Sequence, residues 1–160
     1  LASCLRAAGG QVVWVITTFD DDVLENWSVL KDLFSPDRCD AMMENITVGG
    51  KGHALWPALT VENHDWQVEK NRFSAFIQGS SNLEQRLKEA NIDTVIITGT
   101  LTDVCCESSA RDAMMRNFKT IVITDANAAG SDDDHNDALN AMARLWTDVI
   151  STDEMIGRLS

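Results

Sequence analysis

Basic residues are scarce in this sequence. It has 13 lysines and arginines against 25 aspartates and glutamates, which gives a formal net charge of −12 at pH 7. Nucleic acids and anionic lipid surfaces attract basic proteins, so this balance argues against both as binding partners. The negative charge favours no particular small substrate.

Prolines and long apolar runs are few as well. The chain has only two prolines, Pro36 and Pro57, and shows no linker, low-complexity segment or internal repeat. No apolar run reaches the roughly 20 residues that a membrane-spanning helix needs, and we expect no membrane partner. With 160 residues and 44% hydrophobic content, residues 1–160 are predicted to form a single domain with a proper core.

The four cysteines lack the spacing of metal ligands. Two of them, Cys105 and Cys106, are adjacent, and adjacent cysteines rarely form a disulfide with each other. We therefore expect reduced thiols and a cytoplasmic protein.

Apolar runs alternate with helical patterns along most of the chain. This alternation predicts an α/β fold with a parallel sheet, helices on both faces and right-handed crossovers. The segment 26–52 is harder to interpret; it suggests short amphipathic helices or an insertion that covers a site or contacts a neighbouring subunit. Buried parallel strands are predicted at 11–17 and 95–97, and further strands at 119–124 and 148–151. Helices are predicted at 1–8, at 82–90, from a cap at Ser131 to about residue 146, and from Asp153, with a loop at 125–130. The helix at 131–146 is expected to bury Leu139, Met142, Ala143 and Trp146.

The stretch 94–115 points most directly to chemistry. A strand, a glycine turn and a helix capped by Thr102 or Asp103 would place Cys105 in the first helical turn above the strand's carboxyl end. Open α/β sheets bind ligands there, and unpaired helix N–H groups stabilise a thiolate. Cys105 is therefore a candidate nucleophile, although packing is the commoner role of cysteine. Cys106 points about 100° further round the helix and is predicted to be packed.

Three stretches of the sequence form a specific pattern: VEKNRFSAF at 68–76, GTLTDVCCESSARDA at 99–113, and DANAA at 125–129 followed by His135, Ala138 and Leu139. In their letters, order and spacing they resemble the isochorismatase-like cysteine hydrolases, and the resemblance covers nearly the whole chain. The resemblance implies a Rossmann-like three-layer α/β/α sandwich, an Asp–Lys–Cys triad without a cofactor, and a homo-oligomer of two or more subunits. The motif that begins at Lys70 and ends at Phe73 most resembles ureidoacrylate- and carbamoyl-type members.

The resemblance also assigns roles to residues. It implies that Cys105 is the nucleophile and Lys70 the triad lysine, which suits a thiol that needs a cationic neighbour to ionise near neutral pH. It implies an oxyanion hole formed by the backbone N–H groups of Leu101 and Cys105, and a cis peptide bond between Thr100 and Leu101. Small amide or ureido compounds are the expected substrates.

Four further residues are candidates for substrate contacts. Arg72 is expected either to pair with a substrate carboxylate or to form a structural salt bridge. Phe73, Phe76 and Trp66 are candidates for the pocket wall, with core packing expected for at least one of them.

The triad aspartate has no counterpart in this sequence. The family carries it at the end of the first strand, in a segment like an apolar run followed by Asp-Met-Gln. The segment Asp65–Gln67 is similar in letters only, because no buried strand is evident before it, and Asp20 ends the wrong strand. We therefore expect that an N-terminal piece with this strand and the aspartate is missing from the chain, and that the fragment folds poorly alone.

The sequence also lacks the metal cluster of the family's nicotinamidases, which resembles Asp-x-His-x-His after the second strand. Residues 17–22 read TTFDDD there, and Asp20–Asp22 are interpreted as a solvated loop. His53 and His64 have no partner at ligand spacing and are expected to be surface or hydrogen-bonding histidines. No metal site is predicted, and nicotinamide is not an expected substrate.

Three functions stay open on the sequence alone. True isochorismatases lack the nucleophilic cysteine and cleave a vinyl ether, so Cys105 favours C–N bond hydrolysis. The alternatives are an isochorismatase-type hydrolase of a non-amide bond, with Cys105 as a bystander, and a non-catalytic family member that serves as a binding or assembly module.

Overall fold

The computed structural model describes all 160 residues, and the chain divides into two compact units. Unit 1 comprises Leu1–Val12 and Arg72–Ser160, and unit 2 comprises Val13–Asn71. The sequence predicted one parallel sheet, whereas the strands form a three-stranded sheet in unit 1 and a two-stranded sheet in unit 2. That residues 1–160 form a single domain stays a prediction.

Unit 1 is a parallel sheet in which β3 (Thr94–Thr100), β4 (Lys119–Ala128) and β5 (Asp148–Ile150) lie side by side in this order, with helices on both faces. Val122 and Ile123 are successive residues of its middle strand, and their side chains point to opposite faces. Val122 packs with Ala110, Ala138, Leu139 and Met142, while Ile123 packs with Ile150, Met155 and Leu1. The elements of this unit are α1 (Ala2–Ala7), α5 (Leu83–Glu89), β3 (Thr94–Thr100), a π-helical turn (Thr102–Cys106), α6 (Glu107–Met115), β4 (Lys119–Ala128), α7 (Asp132–Leu145), β5 (Asp148–Ile150) and α8 (Thr152–Leu159).

Strand β4 is longer than predicted, because residues 125–128 continue the strand instead of forming a loop. The pairing register shifts between Ile97 and Gly99, after which Gly99 pairs with Asn127. The Asn127 side-chain amide donates hydrogen bonds to the carbonyls of Ile97 (3.1 Å) and Ile123 (2.6 Å). These bonds hold residues 125–128 in the sheet, although their polar composition predicts a loop.

The helix ends in unit 1 agree with the predictions in part. Ser131 caps α7 as predicted, since its hydroxyl accepts a hydrogen bond from the Asp134 N–H. The terminal helix begins after Ser151, which forms a reciprocal capping box with Glu154, so the predicted start at Asp153 is wrong.

The predicted buried face of α7 also needs correction. Leu139 and Met142 are buried, but Ala143 is exposed and Ala138 is buried in its place. Trp146 is only half-buried and lies beneath the Arg111 guanidinium, 4.7 Å from the ring centre.

Unit 2 contains a helical cluster and the parallel pair of β1 (Val13–Thr17) and β2 (Trp66–Lys70). Strand β1 was predicted to be buried, but it has a single neighbouring strand and Val15 is 39% exposed. The helices suggested for 26–52 are present, and Trp27 and Met43 pack against a buried cluster of Phe19, Val23 and Leu30. The elements are β1 (Val13–Thr17), α2 (Val23–Asn26), α3 (Val29–Leu33), α4 (Pro36–Ile46) and β2 (Trp66–Lys70).

No helix of the chain is long and apolar enough to cross a lipid bilayer.

Candidate active site

Cys105 lies in the π-helical turn between β3 and α6, not in the first turn of an α-helix as predicted. The turn follows Gly99, whose φ of +124° favours glycine, and the Thr100–Leu101 peptide bond is cis as the resemblance implies. The Cys106 N–H bonds five residues back to the Leu101 carbonyl at 3.1 Å, which is the π-helical pattern. Such turns occur frequently at functional sites.

The side chains of this turn have different environments. Thr102 is fully buried and Cys106 is 5% exposed, whereas Cys105 is half-buried. The prediction that Cys106 is the packed member of the pair is therefore confirmed. None of the four cysteines forms a disulfide.

The predicted N-cap role of Thr102 or Asp103 is wrong, because no side chain caps the π-helical turn or α6. The Thr102 hydroxyl instead lies 2.8 Å from Nδ1 of His135, in the first turn of α7. Although His135 belongs to the motif that carries the family resemblance, nothing in the sequence linked it to Thr102.

Helix α6 is hydrogen-bonded to the loop that follows Arg72. The Ser109 hydroxyl, 9% exposed, accepts the Ala75 N–H at 3.1 Å. Next to it, Phe76 is 5% exposed and its ring packs 5.6 Å from the Phe118 ring. Of the candidate pocket residues, Phe76 therefore has a packing role.

Lys70 is the last residue of β2 and is only 5% exposed. Its ammonium donates a hydrogen bond to the Thr17 hydroxyl at 2.8 Å, across the parallel pair in which Thr17 faces Lys70. The next residue, Thr18, donates its N–H to the Lys70 carbonyl, and its hydroxyl lies 2.8 Å from Nε2 of His53. Because a buried ammonium requires polar partners, Lys70 is held in a defined position at the carboxyl end of β2.

Trp66 begins β2 and faces Val13, at the amino end of the strand. Lys70 lies four positions further along the strand, about 13 Å at the rise of a β-strand, so the structure does not bring these two candidates together. Arg72 and Phe73 are half-buried directly after the strand.

Asp65 makes contacts at the start of β2, and Asp20 lies at the surface. The Asp65 carboxylate accepts hydrogen bonds from the Trp14 indole at 2.8 Å and from the Glu62 N–H at 2.9 Å. This arrangement holds the start of β2 against β1. Asp20 is exposed in the segment after β1.

No group of three or more histidine, cysteine, aspartate or glutamate side chains is arranged to hold a metal ion. Asp20–Asp22 are exposed, as predicted for a solvated loop. His53 contacts Thr18, and His64 lies at the surface 3.8 Å from the Glu62 carboxylate. The prediction of surface or hydrogen-bonding histidines is confirmed.

An open cavity of about 590 Å³ lies between α5 and the loop 75–82, and Cys105 does not line it. Glu84 at its wall is paired with Lys88 at 2.6 Å and with Arg116 at 2.8 Å. The Lys88 hydrogen bond, together with the Arg116 charge, holds the pKa of Glu84 below its ordinary value. Phe76, one of the candidates for the pocket wall, lies in the wall of this cavity.

The sequence profile of the isochorismatase domain matches residues 1–154. The chain belongs to the isochorismatase family. It is 35% identical over 129 residues to the ureidoacrylate amidohydrolase RutB of Methylorubrum extorquens, which covers 76% of this chain and 51% of that protein. The chain thus spans about half the length of this relative.

Solved structures of the family share its α/β fold. A cysteine hydrolase from Pseudomonas syringae pv. phaseolicola superposes with a TM-score of 0.85 and 26% identity, over 99% of this chain and 76% of that one. N-carbamoylsarcosine amidase from Thermoplasma acidophilum gives a TM-score of 0.73 and 26% identity, over 95% and 78%. The family resemblance and the fold class predicted from the three motif stretches are confirmed.

Proposed function

We propose that this isochorismatase-family protein hydrolyses a C–N bond in a small amide or ureido compound, through a thioester on Cys105. The observation that carries the proposal is the placement of Cys105, half-buried in a π-helical turn at the carboxyl end of β3. The similarity to proteins named as an amidohydrolase and an amidase supports the amide or ureido class.

In the proposed reaction, the Cys105 thiolate attacks the carbonyl carbon of the substrate. The Lys70 ammonium stabilises the thiolate, and the backbone N–H groups of Leu101 and Cys105 bind the oxyanion of the tetrahedral intermediate. The C–N bond then breaks, and the leaving nitrogen takes a proton from an acid group. Water attacks the resulting thioester, which releases a carboxylic or carbamic acid and restores the thiol.

The acid group completes an Asp–Lys–Cys triad in this proposal. Asp65 is engaged with Trp14 and Glu62, and Asp20 is exposed. We therefore propose that the triad aspartate lies outside residues 1–160.

Arg72 and Phe73 are the substrate contacts that we retain. Both are half-buried immediately after the strand that ends in Lys70. A guanidinium binds a carboxylate in a bidentate manner, so Arg72 suits a substrate with a carboxylate beside its ureido group. Phe76 is packed on Phe118 and Trp66 lies at the far end of β2, so neither is retained.

The proposal is tested with the full-length native protein, whose intact mass and N-terminal sequence are determined first. Ureido acids and simple amides are screened for ammonia release, and the active substrate is then tested with Cys105→Ala and with Cys106→Ala as the neighbouring control. We expect Cys105→Ala to lower turnover by more than about 10³-fold and Cys106→Ala to retain it. Acid quenching should trap the acyl group on Cys105.

Full turnover by Cys105→Ala would refute the thioester mechanism. Alkylation of Cys105 without loss of activity would favour the alternative of a non-amide bond with Cys105 as a bystander. If no aspartate that follows an apolar strand precedes residue 1 in the native protein, the triad is wrong.

A further inference from the structure

We propose that Thr102 and His135 are positioning residues, whose hydrogen bond fixes the turn that presents Cys105. This inference rests on the proposed role of Cys105 as the nucleophile. It assigns to α7 a part in the reaction that neither the motifs nor the comparisons give it.

The first observation is the burial of Thr102. Its side chain is fully buried, and a buried hydroxyl requires a hydrogen-bond partner. The partner is Nδ1 of His135, 33 residues further along the chain and 2.8 Å away. Thr102 begins the π-helical turn and Cys105 follows three residues later, so the bond holds the same turn that carries the thiol.

The second observation is how this turn is otherwise held. Backbone bonds from Val104 and Cys106 to the Leu101 carbonyl are local, and no side chain caps the turn. Local bonds fix the shape of a turn but leave its orientation against the rest of the fold to longer-range contacts. The bond between Thr102 and His135 supplies such a contact.

The third observation is that α7 is firmly placed. His135 is three and four residues before Ala138 and Leu139, so these side chains share one face of the helix. Ala138 and Leu139 are packed in the core cluster with Ala110 of α6. His135 therefore links Thr102 to an element that is fixed by the core.

The direction of the bond depends on the histidine tautomer: either the Thr102 hydroxyl donates to Nδ1, or the Nδ1–H donates to the hydroxyl. Conservative variants can preserve the bond in both cases. His135→Asn offers an amide group near the position of Nδ1, and Thr102→Ser keeps the hydroxyl. Thr102→Val and His135→Leu remove the bond with little change in volume.

The experiment compares these four variants in the full-length protein. The rate of Cys105 alkylation by iodoacetamide, located by peptide mass mapping, is measured without substrate, and kcat and KM are measured separately. Since small misplacement of a reacting group reduces rates up to about 100-fold, we expect Thr102→Val and His135→Leu to lower alkylation and kcat about 10- to 100-fold. KM should stay within about two-fold, because the bond acts on the nucleophile and not on substrate binding.

Two controls separate positioning from stability. Thr120→Val removes another buried hydroxyl, which donates to the Phe118 carbonyl at 3.2 Å in β4, and should leave the alkylation rate unchanged. Thr102→Ser and His135→Asn should restore both rates. The double variant Thr102→Val/His135→Leu should be no slower than either single variant, because both remove one bond.

Wild-type alkylation and kcat in folded His135→Leu would overturn the inference, as would an equal loss of both rates in Thr120→Val. His135 is only half-buried, so its variants decide the question even if Thr102→Val fails to fold. Failure of the proposed function itself would give a different result, namely full turnover by the Cys105→Ala variant.

Discussion

Lys70 is a charged residue that the structure buries. Its position in the sequence indicates only a solvated charge, and the family resemblance alone marks it as a triad member. The structure buries it to 5% exposure and gives its ammonium the Thr17 hydroxyl as a partner. Thr17 could not have been identified from sequence, because the contact depends on the register of two strands that are 53 residues apart.

We expect Lys70→Met to lower turnover about 10²- to 10³-fold, because it removes the cation proposed to stabilise the thiolate and the developing charge. Lys88→Met is the control, since Lys88 is exposed on α5 and should be neutral for turnover. Steady-state kinetics on the substrate found in the screen measure both variants, with circular dichroism to verify folding. Undiminished kcat in a folded Lys70→Met variant would exclude Lys70 from the mechanism.

At the scale of elements, the start of α8 is determined by several side chains. Ser151 and Glu154 form the capping box, and the Asp125 carboxylate accepts hydrogen bonds from the backbone and hydroxyl of Thr152 at 2.8 Å. These interactions connect α8 to the end of β4. The sequence predicts this helix but not its start, because Ser151, Thr152 and Asp153 are all good capping residues and the pattern favours Asp153.

Ser151→Ala removes the capping hydroxyl and should lower the free energy of unfolding by about 1 kcal/mol. For a chain of this length, that corresponds to a decrease in Tm of about 2–4 °C. Thermal unfolding followed by circular dichroism measures the change. Ser160→Ala, which removes an exposed hydroxyl at the other end of the helix, should leave Tm unchanged; an equal decrease in both variants would argue against a capping effect.

The same helix start predicts a pH dependence. The hydrogen bonds from Thr152 hold the pKa of Asp125 below its ordinary value, and those from Ser151 do the same for Glu154. A lowered native pKa means that the carboxylates stabilise the fold fully above their unfolded values, near pH 4, and that this stability is lost as the pH falls through the lower native values.

We therefore expect Tm to decrease below about pH 4, with less of a decrease in Asp125→Asn, because an amide cannot lose this charge. Thermal unfolding of both proteins between pH 7 and pH 3 provides the comparison. Parallel Tm profiles for the two proteins would show that Asp125 does not contribute.

The elements that the sequence predicts have local signals, whereas the elements that it misses depend on contacts between distant residues. The helix at 83–89 and the cap at Ser131 were predicted because periodicity and capping are local properties. Strand β2 was missed, since only Val68 and Lys70 are buried in it and one of the two is charged. The extension of β4 was missed because its Asn127 bonds reach across the sheet. The motif around Cys105 was located, but its π-helical form was not.

At the scale of the whole molecule, the chain belongs to the isochorismatase family, and each of its two compact units contains one parallel sheet. The motifs were sufficient for the family, since their order and spacing are set by the positions of β2, β3 and β4 along the fold. The division into units depends on packing between elements, which the sequence does not display. Homo-oligomerisation and an upstream strand with the triad aspartate stay predictions.

We expect the activity of the native protein to be independent of metal ions. The segment after β1 has the exposed acidic residues Asp20–Asp22 but no histidine, and no cluster of potential ligands occurs elsewhere in the 160 residues. Cysteine chemistry of the proposed kind uses a thiolate and N–H donors, so it requires no metal-activated water.

Dialysis of the native protein against EDTA tests this expectation. It should change kcat and KM by less than about two-fold, because the loss of an interaction that stabilises the transition state would lower kcat by more than that. Elemental analysis before and after dialysis supplies the control. Stoichiometric zinc, together with activity that EDTA removes and zinc restores, would show that the native protein holds a metal and that the prediction is wrong.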